Sequence, residues 1–347
     1  MKRQAGMQMT RAAATLLLAL TACCALIVIF GKTPLAALQS LFLGSFTSAY
    51  NFGSMLSTAS FLMLAGTGSA ISIKSGNMNL GGEGQVYLGG FTACLALNAL
   101  RLPAVLAIPI ALLLSAASGA AMAGVSAFLK EKRAARPLLT SFLVSAAAIP
   151  VIDGLITSNG SASATNLLAL PYIEEKYRLP QILPPSPLSL SFFAAIAVCL
   201  VAWHVMFRSS YGSRMQIWGT APTFARFAGY SPADNSYSAL AISGALHAMT
   251  GFFAVVGSYY TCHKGFYMNM GWNAINVALI SGSNPLSAIP VSLLLAWIFT
   301  SASRVSLTQG FGFDIAGIVQ GIILFSVSLT YIKRVKSSKN ASTGGRK

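Results

Sequence analysis

The sequence predicts an all-α protein that crosses a membrane many times, and three observations carry the prediction. Apolar residues make up 55% of the chain and charged residues only 9%, with a mean hydropathy of +0.67, more apolar surface than a soluble core can hide. Apolar stretches near the roughly 20 residues needed to cross a bilayer follow one another along nearly the whole chain. Two polar interruptions rich in glycine and asparagine lie among them, which lipid tolerates only where the backbone is buried in protein or lines a cavity. Residues 1–347 therefore read as one polytopic transmembrane domain of about ten transmembrane helices, with two broken or short helices near a translocation path.

Taken in order, the spans fall at about 13–31, 51–73, 84–100, 102–129, 138–156, 188–207, 237–258, 269–282, 285–302 and 312–332. Within the first, Leu20-Thr21-Ala22-Cys23 has the form of a lipoprotein cleavage box, but the apolar run continues through Cys24 to Phe30, which suits a retained span. The short span at 269–282 decides the topology. Without it the basic tail, 333–347, would lie on the opposite side from the basic N-terminus. With it both termini are cytoplasmic, the loop at about 157–187 is external and the loop at about 208–236 is cytoplasmic. Of the 23 Lys and Arg, about seventeen then lie inside (Lys2, Arg3, Arg11, Lys74, Lys130, Lys132, Arg133, Arg136, Arg208, Arg214, Arg226 and the six of the tail) and about six outside, as the positive-inside rule requires. The net charge of +16 is thus an orientation signal. Nucleic acid is not an implied partner, because no aromatic-basic face accompanies these scattered residues.

No catalytic, metal-binding or cofactor-binding pattern is found. The five cysteines, Cys23, Cys24, Cys94, Cys199 and Cys262, have no metal-ligand spacing and read as small packing residues. His204, His247 and His263 form no His-x-x-x-His pair and read as interfacial or packing residues. Gly31-Lys32-Thr33 ends like a phosphate-binding loop, but Leu26 stands where the first glycine is required. Gly82-Glu83-Gly84 lacks the third glycine of a dinucleotide fingerprint. If ATP energises the chain, another subunit holds it.

Three constellations remain. The first interruption runs from Lys74 to Gln85, and the next helix is expected to begin near Gly82 or Gly84 with free N–H groups and its positive dipole end facing the gap. Glu83 offsets that dipole, while Asn77, Asn79 and Gln85 supply donors and acceptors that hold a polar solute or satisfy the broken helix itself. The second interruption spans Phe266 to Asn276, with a short apolar run to Ile280 and a turn, Ser281-Gly282-Ser283-Asn284-Pro285. It reads as a half-helix buried among other helices, and the pair of breaks suggests a weak internal repeat. Asn273 and Asn276 add polar groups there. Phe266 and Trp272 are placed either to stack on a flat ring or to anchor a span end at the interface. The third constellation is the cytoplasmic loop, in which Pro222, Gly229 and Pro232 bracket a short helix. Phe224, Phe227 and Ala228 share one face of it, suited to a partner's groove or to lipid headgroups.

On these residues the chain resembles a known family. Asn79-Leu80-Gly81-Gly82-Glu83-Gly84-Gln85 is similar to the Asn-Ile-Gly-x-Glu-Gly-Gln signature of membrane permeases of bacterial ABC importers. The matching branch takes up purine nucleosides and simple sugars, within the superfamily of branched-chain-amino-acid and ribose permeases. Gly212-Ser213-Arg214-Met215 through Ala225-Arg226-Phe227-Ala228-Gly229 resembles the ATPase-coupling loop, Ser243-Gly244-Ala245-Leu246 begins the following span, and Gly271 to Pro285 resembles the Gly-Ile-Ala-Val-Ala-Leu-Leu-Gly…Asn-Pro stretch.

The resemblance covers roughly residues 52–332. It implies alternating access and ATPase contacts through Arg214, Met215, Gly219, Phe224, Arg226, Phe227 and Gly229. It also implies a second permease subunit (a paralogue favoured over a copy), a solute-binding lipoprotein or periplasmic protein, and a place in the bacterial cytoplasmic (inner) membrane among its lipids. No covalent chemistry and no cofactor are implied. Two departures stand out: Arg136-Pro137-Leu138-Leu139-Thr140 lacks the acid of the family's Asn-Glu-Val-Ile-like segment, and Leu279-Ile280-Ser281-Gly282 replaces Leu-Leu-Gly. Substrate assignment stays open to flavins as well as nucleosides and sugars. The alternatives are an ion-coupled secondary transporter, for which Glu83 and Asp153 are the candidate acids, and a membrane-anchoring subunit, which leaves both polar breaks unexplained.

Overall fold

The computed structural model describes residues 17–18, 20–29, 33–159, 168–309 and 315–326. The basic tail at 333–347, part of the loop expected to be external and both ends of the first and last expected spans lie outside the described residues.

The described residues form helices α1 (Leu20–Ile29), α2 (Pro34–Leu43), α3 (Ala49–Lys74), α4 (Gly82–Ala99), α5 (Ala104–Arg133), α6 (Pro137–Asn159), α7 (Ser191–Arg208), α8 (Ser210–Thr220), α9 (Pro222–Phe227), α10 (Pro232–Ala254), α11 (Met270–Ile280), α12 (Pro285–Gln309) and α13 (Ile315–Ser326). Among them there is no strand, only two isolated bridges, Ala169 with His263 and Gln181 with Ser189. Each expected span has a helix. Helix α2, between the first two spans, is an addition, opened by Pro34 in its first turn and followed by Gly44.

Among the described residues six helices (α3, α5, α6, α7, α10 and α12) are long and apolar enough to cross a bilayer, against the ten crossings expected. Helix α4 has the length, 18 residues, but Glu83, Gln85, Asn98 and its glycines dilute its apolarity. Helix α11, with 11 residues, extends about 16 Å at 1.5 Å per residue, half of a hydrocarbon core.

Helices α3 and α10 are buried along most of their length, whereas α5, α6 and α7 turn most of theirs outward. Small residues let the central helices touch backbone to backbone. A side chain on Gly119 of α5 would collide with the Gly244 carbonyl of α10, one on Gly244 with the Gly119 carbonyl, and one on Gly89 of α4 with the Ala248 backbone. At the end away from α8 and α9, the segment from Leu168 to Leu179 is tied to the chain beyond α10: Leu170 N–H donates to the Cys262 carbonyl at 3.0 Å, Ile173 to Tyr260 at 2.9 Å and Leu179 to Val256 at 3.0 Å. The Tyr177 hydroxyl lies 2.7 Å from the Leu100 carbonyl oxygen and 2.9 Å from that of Leu102.

Candidate functional site: two broken helices and a docked helical segment

The first break begins where α3 ends at Lys74 and the chain turns at Gly76, whose φ of +75° favours glycine. Its polar side chains bond inward. Asn79 Oδ1 accepts from Gly81 N–H at 2.9 Å, while Asn79 Nδ2 donates to Gln85 Oε1 at 2.9 Å and to Ser243 Oγ at 3.0 Å. Gln85 Oε1 also meets His247 Nδ1 at 3.0 Å, and His247 Nε2 meets Ser69 Oγ at 3.1 Å. Asn77 Oδ1 accepts from Lys130 Nζ at 2.5 Å, and the same ammonium donates to Ser236 Oγ at 2.7 Å. Asn77, Asn79, Gln85 and His247 are all buried, so this network fixes the path of the broken chain.

Of the helix N–H groups expected to face the gap freely, that of Gly84 is occupied, donating to Ser145 Oγ at 2.7 Å. Just before the helix, Leu80 donates to Ser141 Oγ at 2.9 Å, and both hydroxyls come from α6.

Glu83 does not serve only its own helix. Its Oε1 accepts from Gly271 N–H at 2.9 Å and Trp272 N–H at 3.1 Å, so a carboxylate of the first break caps the half-helix of the second. The positive end of α11 is thereby answered by protein. The close approach requires small residues, since a Cβ on Gly271 would meet the Gly82 and Glu83 backbone.

In the second break Asn269 has φ of 67°, turning the chain into α11. Phe266 is buried among protein rings, 5.7 Å from Tyr87 and 5.8 Å from both Tyr259 and His263, centroid to centroid. Burial pushes the His263 imidazole below its ordinary value. Trp272 is half-buried beside Phe142, at 6.3 Å. Asn276 Nδ2 reaches Asn273 Oδ1 at 3.4 Å, and Asn276 Oδ1 is buried with no partner among the described residues. Asp153, the other membrane acid, accepts the Tyr87 hydroxyl at 2.6 Å.

A cavity of about 730 Å³ opens beside the second break, between the first half of α3, the start of α11, the second half of α12 and Gln320 of α13. Asn269 and Asn273 line it, as do Tyr50, Asn51, Ser303 and Arg304. Asn77, Asn79, Glu83 and Gln85 do not. Its α3 wall, Tyr50 to Leu62, ends twelve residues before Lys74, about 18 Å along the helix.

At the Lys74 end sits the segment made of α8 and α9. Helix α8 is capped by Ser209, whose Oγ accepts from Gly212 N–H at 3.1 Å. Met215 is buried in a cluster with Ile71, Met206 and Ala239, and the Arg214 guanidinium lies 5.5 Å over the Tyr230 ring. Gly219 packs on the first break: a Cβ there would strike the Lys74 carbonyl oxygen. Asn235 Nδ2, just after Pro232, donates to the Ser75 carbonyl at 3.1 Å. Helix α9 runs between the expected brackets, with Gly229 left-handed at φ 75°. Its Ala225 is buried, whereas Phe224 is 61% and Phe227 88% exposed, and Arg226 and Gly229 are exposed as well.

The serines of α6, Lys130, Ser243 and His247 were not among the expected site residues. Ser243 and His247, one helical turn apart in an apolar span, carry a signal of their own in the sequence.

Residues 51–328 match the family model described as branched-chain amino acid transport system / permease component. The chain is 31% identical over 310 residues to the "Probable riboflavin import permease protein" of Treponema pallidum, covering 88% of this chain and 81% of that protein. It is 23% identical over 338 residues to the guanosine ABC transporter permease protein of Bacillus subtilis, covering 95% of each. It is 26% identical over 321 residues to the glucose ABC transporter permease protein of Haloferax volcanii, covering 89% of this chain and 84% of that protein. Among solved structures, PsaBC from Streptococcus pneumoniae in complex with Fab aligns at 14% identity and a TM-score of 0.46, covering 85% of this chain and 94% of that chain. With long apolar helices, two breaks joined by the Glu83 cap and a family match over most of its length, the chain is an integral membrane protein and belongs to the family of branched-chain amino acid transport system permease components.

Proposed function

We propose that this chain is the translocation subunit of an ATP-driven ABC importer for a nucleoside, simple sugar or flavin-like solute, working by alternating access. The observation that carries the reading is the cytoplasmic segment. Gly219 seats it on the first break while Phe224 and Phe227 point away from the chain, an arrangement that gives an ATPase groove a handle on the broken helix. Hydrolysis belongs to that separate subunit. The remaining partners in this reading are a second permease, a paralogue in preference to a copy, and a solute-binding lipoprotein or periplasmic protein.

The fold in this reading has about ten crossings with both termini in the cytoplasm. The solute passes beside the second break, where the cavity and Asn273 lie. The first break acts on it through the Glu83 cap. An ion-coupled mechanism has less support, because Glu83 and Asp153 are both engaged by protein donors.

The test is coexpression with the ATPase, second permease and binding protein that this reading requires. Uptake of riboflavin, guanosine or glucose that depends on the ATPase supports the reading; uptake that persists with a hydrolysis-dead ATPase and collapses with an ionophore replaces it with ion coupling. Cysteine labelling at Ser210 from the cytoplasm only, with Ser163 from outside and Ser338 from inside, checks the topology; the last two lie outside the described residues.

A further inference from the structure

The cavity beside the second break has an unusual charge composition. Arg304 is the one charged side chain among its lining residues, and no acid lines it. Among the described residues the Arg304 guanidinium makes one hydrogen bond, from Nη1 to the Gly44 carbonyl at 3.4 Å, a long contact that leaves most of its fork of donors unspent. Arginine stays protonated at every physiological pH. Around it the cavity offers the amides of Asn51 and Asn273 and the rings of Tyr50 and Tyr259.

A fork of N–H donors matches paired or anionic oxygens in one plane, the tyrosine rings match a flat π-system, and the amides match hydroxyls. The lone positive charge disfavours a cationic solute by on the order of tenfold or more at about 8 Å and an effective dielectric near 20.

We infer that Arg304 is a specificity-determining residue that selects flat rings bearing carbonyl oxygens, of the lactam or imide kind, and turns away cationic rings. The guanidinium donates to the ring carbonyl, and the asparagine amides take the hydroxylated substituent. This rests on the importer reading above, which it narrows from three solute classes to ring compounds with an acceptor edge.

The test uses the complete transporter in membrane vesicles, with Ser303→Cys as a reporter inside the cavity in a Cys24→Ser background, and measures protection from maleimide by riboflavin, guanosine, glucose and thiamine. The expected result is protection by riboflavin or guanosine, at least tenfold weaker in Arg304→Gln and partly restored in Arg304→Lys, with none by glucose or thiamine. Arg304→Glu should reverse the order and let thiamine protect. Parallel uptake assays should show the Arg304→Gln defect in KM with the maximal rate little changed. Equal protection with and without Arg304, protection by glucose as strong as by riboflavin, or no protection by any probe would each overturn the inference. Uptake that does not depend on the ATPase would instead overturn the importer reading, so the two failures are distinguishable.

Discussion

Glu83 and Gly271 are 188 positions apart in sequence, yet the carboxylate of the first accepts the backbone N–H of the second at 2.9 Å. The second broken helix thus depends on the first, since the residue that follows the first break caps the half-helix of the second. Glu83→Ala should leave the Gly271 and Trp272 N–H groups buried and unpaired, each costing about 1–3 kcal/mol. Glu83→Gln keeps an acceptor and should lose only the charge–dipole part, about 0.3–2 kcal/mol. Thermal unfolding in detergent should rank wild type above Gln above Ala, and an Ala variant as stable as wild type would show that α11 finds its acceptors elsewhere.

Asn79 and Asn273 should fail in different ways. Asn79 holds Gly81, Gln85 and Ser243 together, so Asn79→Leu should lower the yield of folded protein. Asn273 lines the cavity, and Asn273→Leu should reduce uptake with assembly intact. Equal folded yields for the two variants would contradict the division.

Removing Phe224 and Phe227 should not destabilise the isolated chain, because both side chains are mostly exposed. In a partner's groove each Phe→Ala change typically costs about 3–5 kcal/mol, enough to release an ATPase of ordinary affinity. Phe224→Ala with Phe227→Ala should therefore melt like wild type and no longer copurify with the ATPase. Retained copurification with full solute-stimulated hydrolysis would place α9 on lipid instead.

Gly219 calls for the opposite phenotype. A leucine there must displace α8 from the Lys74 carbonyl without touching the exposed face of α9. Gly219→Leu should keep the ATPase bound while uptake and solute stimulation of hydrolysis fall at least tenfold. Normal stimulation would rule out this contact as a link in energy coupling.

Local signals made much of the architecture legible from the sequence. Gly76 and the asparagines around it announced the first break, and Pro222, Gly229 and Pro232 announced α9 and the start of α10. The partners of the polar residues were not legible. Lys130 reads as one more positive charge beside Lys132 and Arg133, and only folding brings it to Asn77, 53 positions away. Ser141 and Ser145 look like ordinary small residues of a span until α6 packs against the start of α4. The aromatic pair was ambiguous for a similar reason: Phe266 sits among other rings of the protein, while Trp272 remains half-buried. The cavity itself is built from segments some 250 positions apart, Tyr50 to Leu62 and Phe299 to Thr308, which no local pattern connects.

The backbone seams at Gly119–Gly244 and Gly89–Ala248 have a mechanical consequence. Sliding α10 by one residue against α4 or α5 would bring a side chain to a spot where only a hydrogen fits, so these three helices turn as a single block or not at all. Helix α12 is built differently: it contains no glycine, and its buried face includes Leu295, Ile298 and Phe299, side chains that can change rotamer. A transport cycle that reshapes the cavity should therefore run as a rocking of the α12 wall against a stiff keel, with the strain absorbed in side-chain repacking and the backbone seams left unbroken.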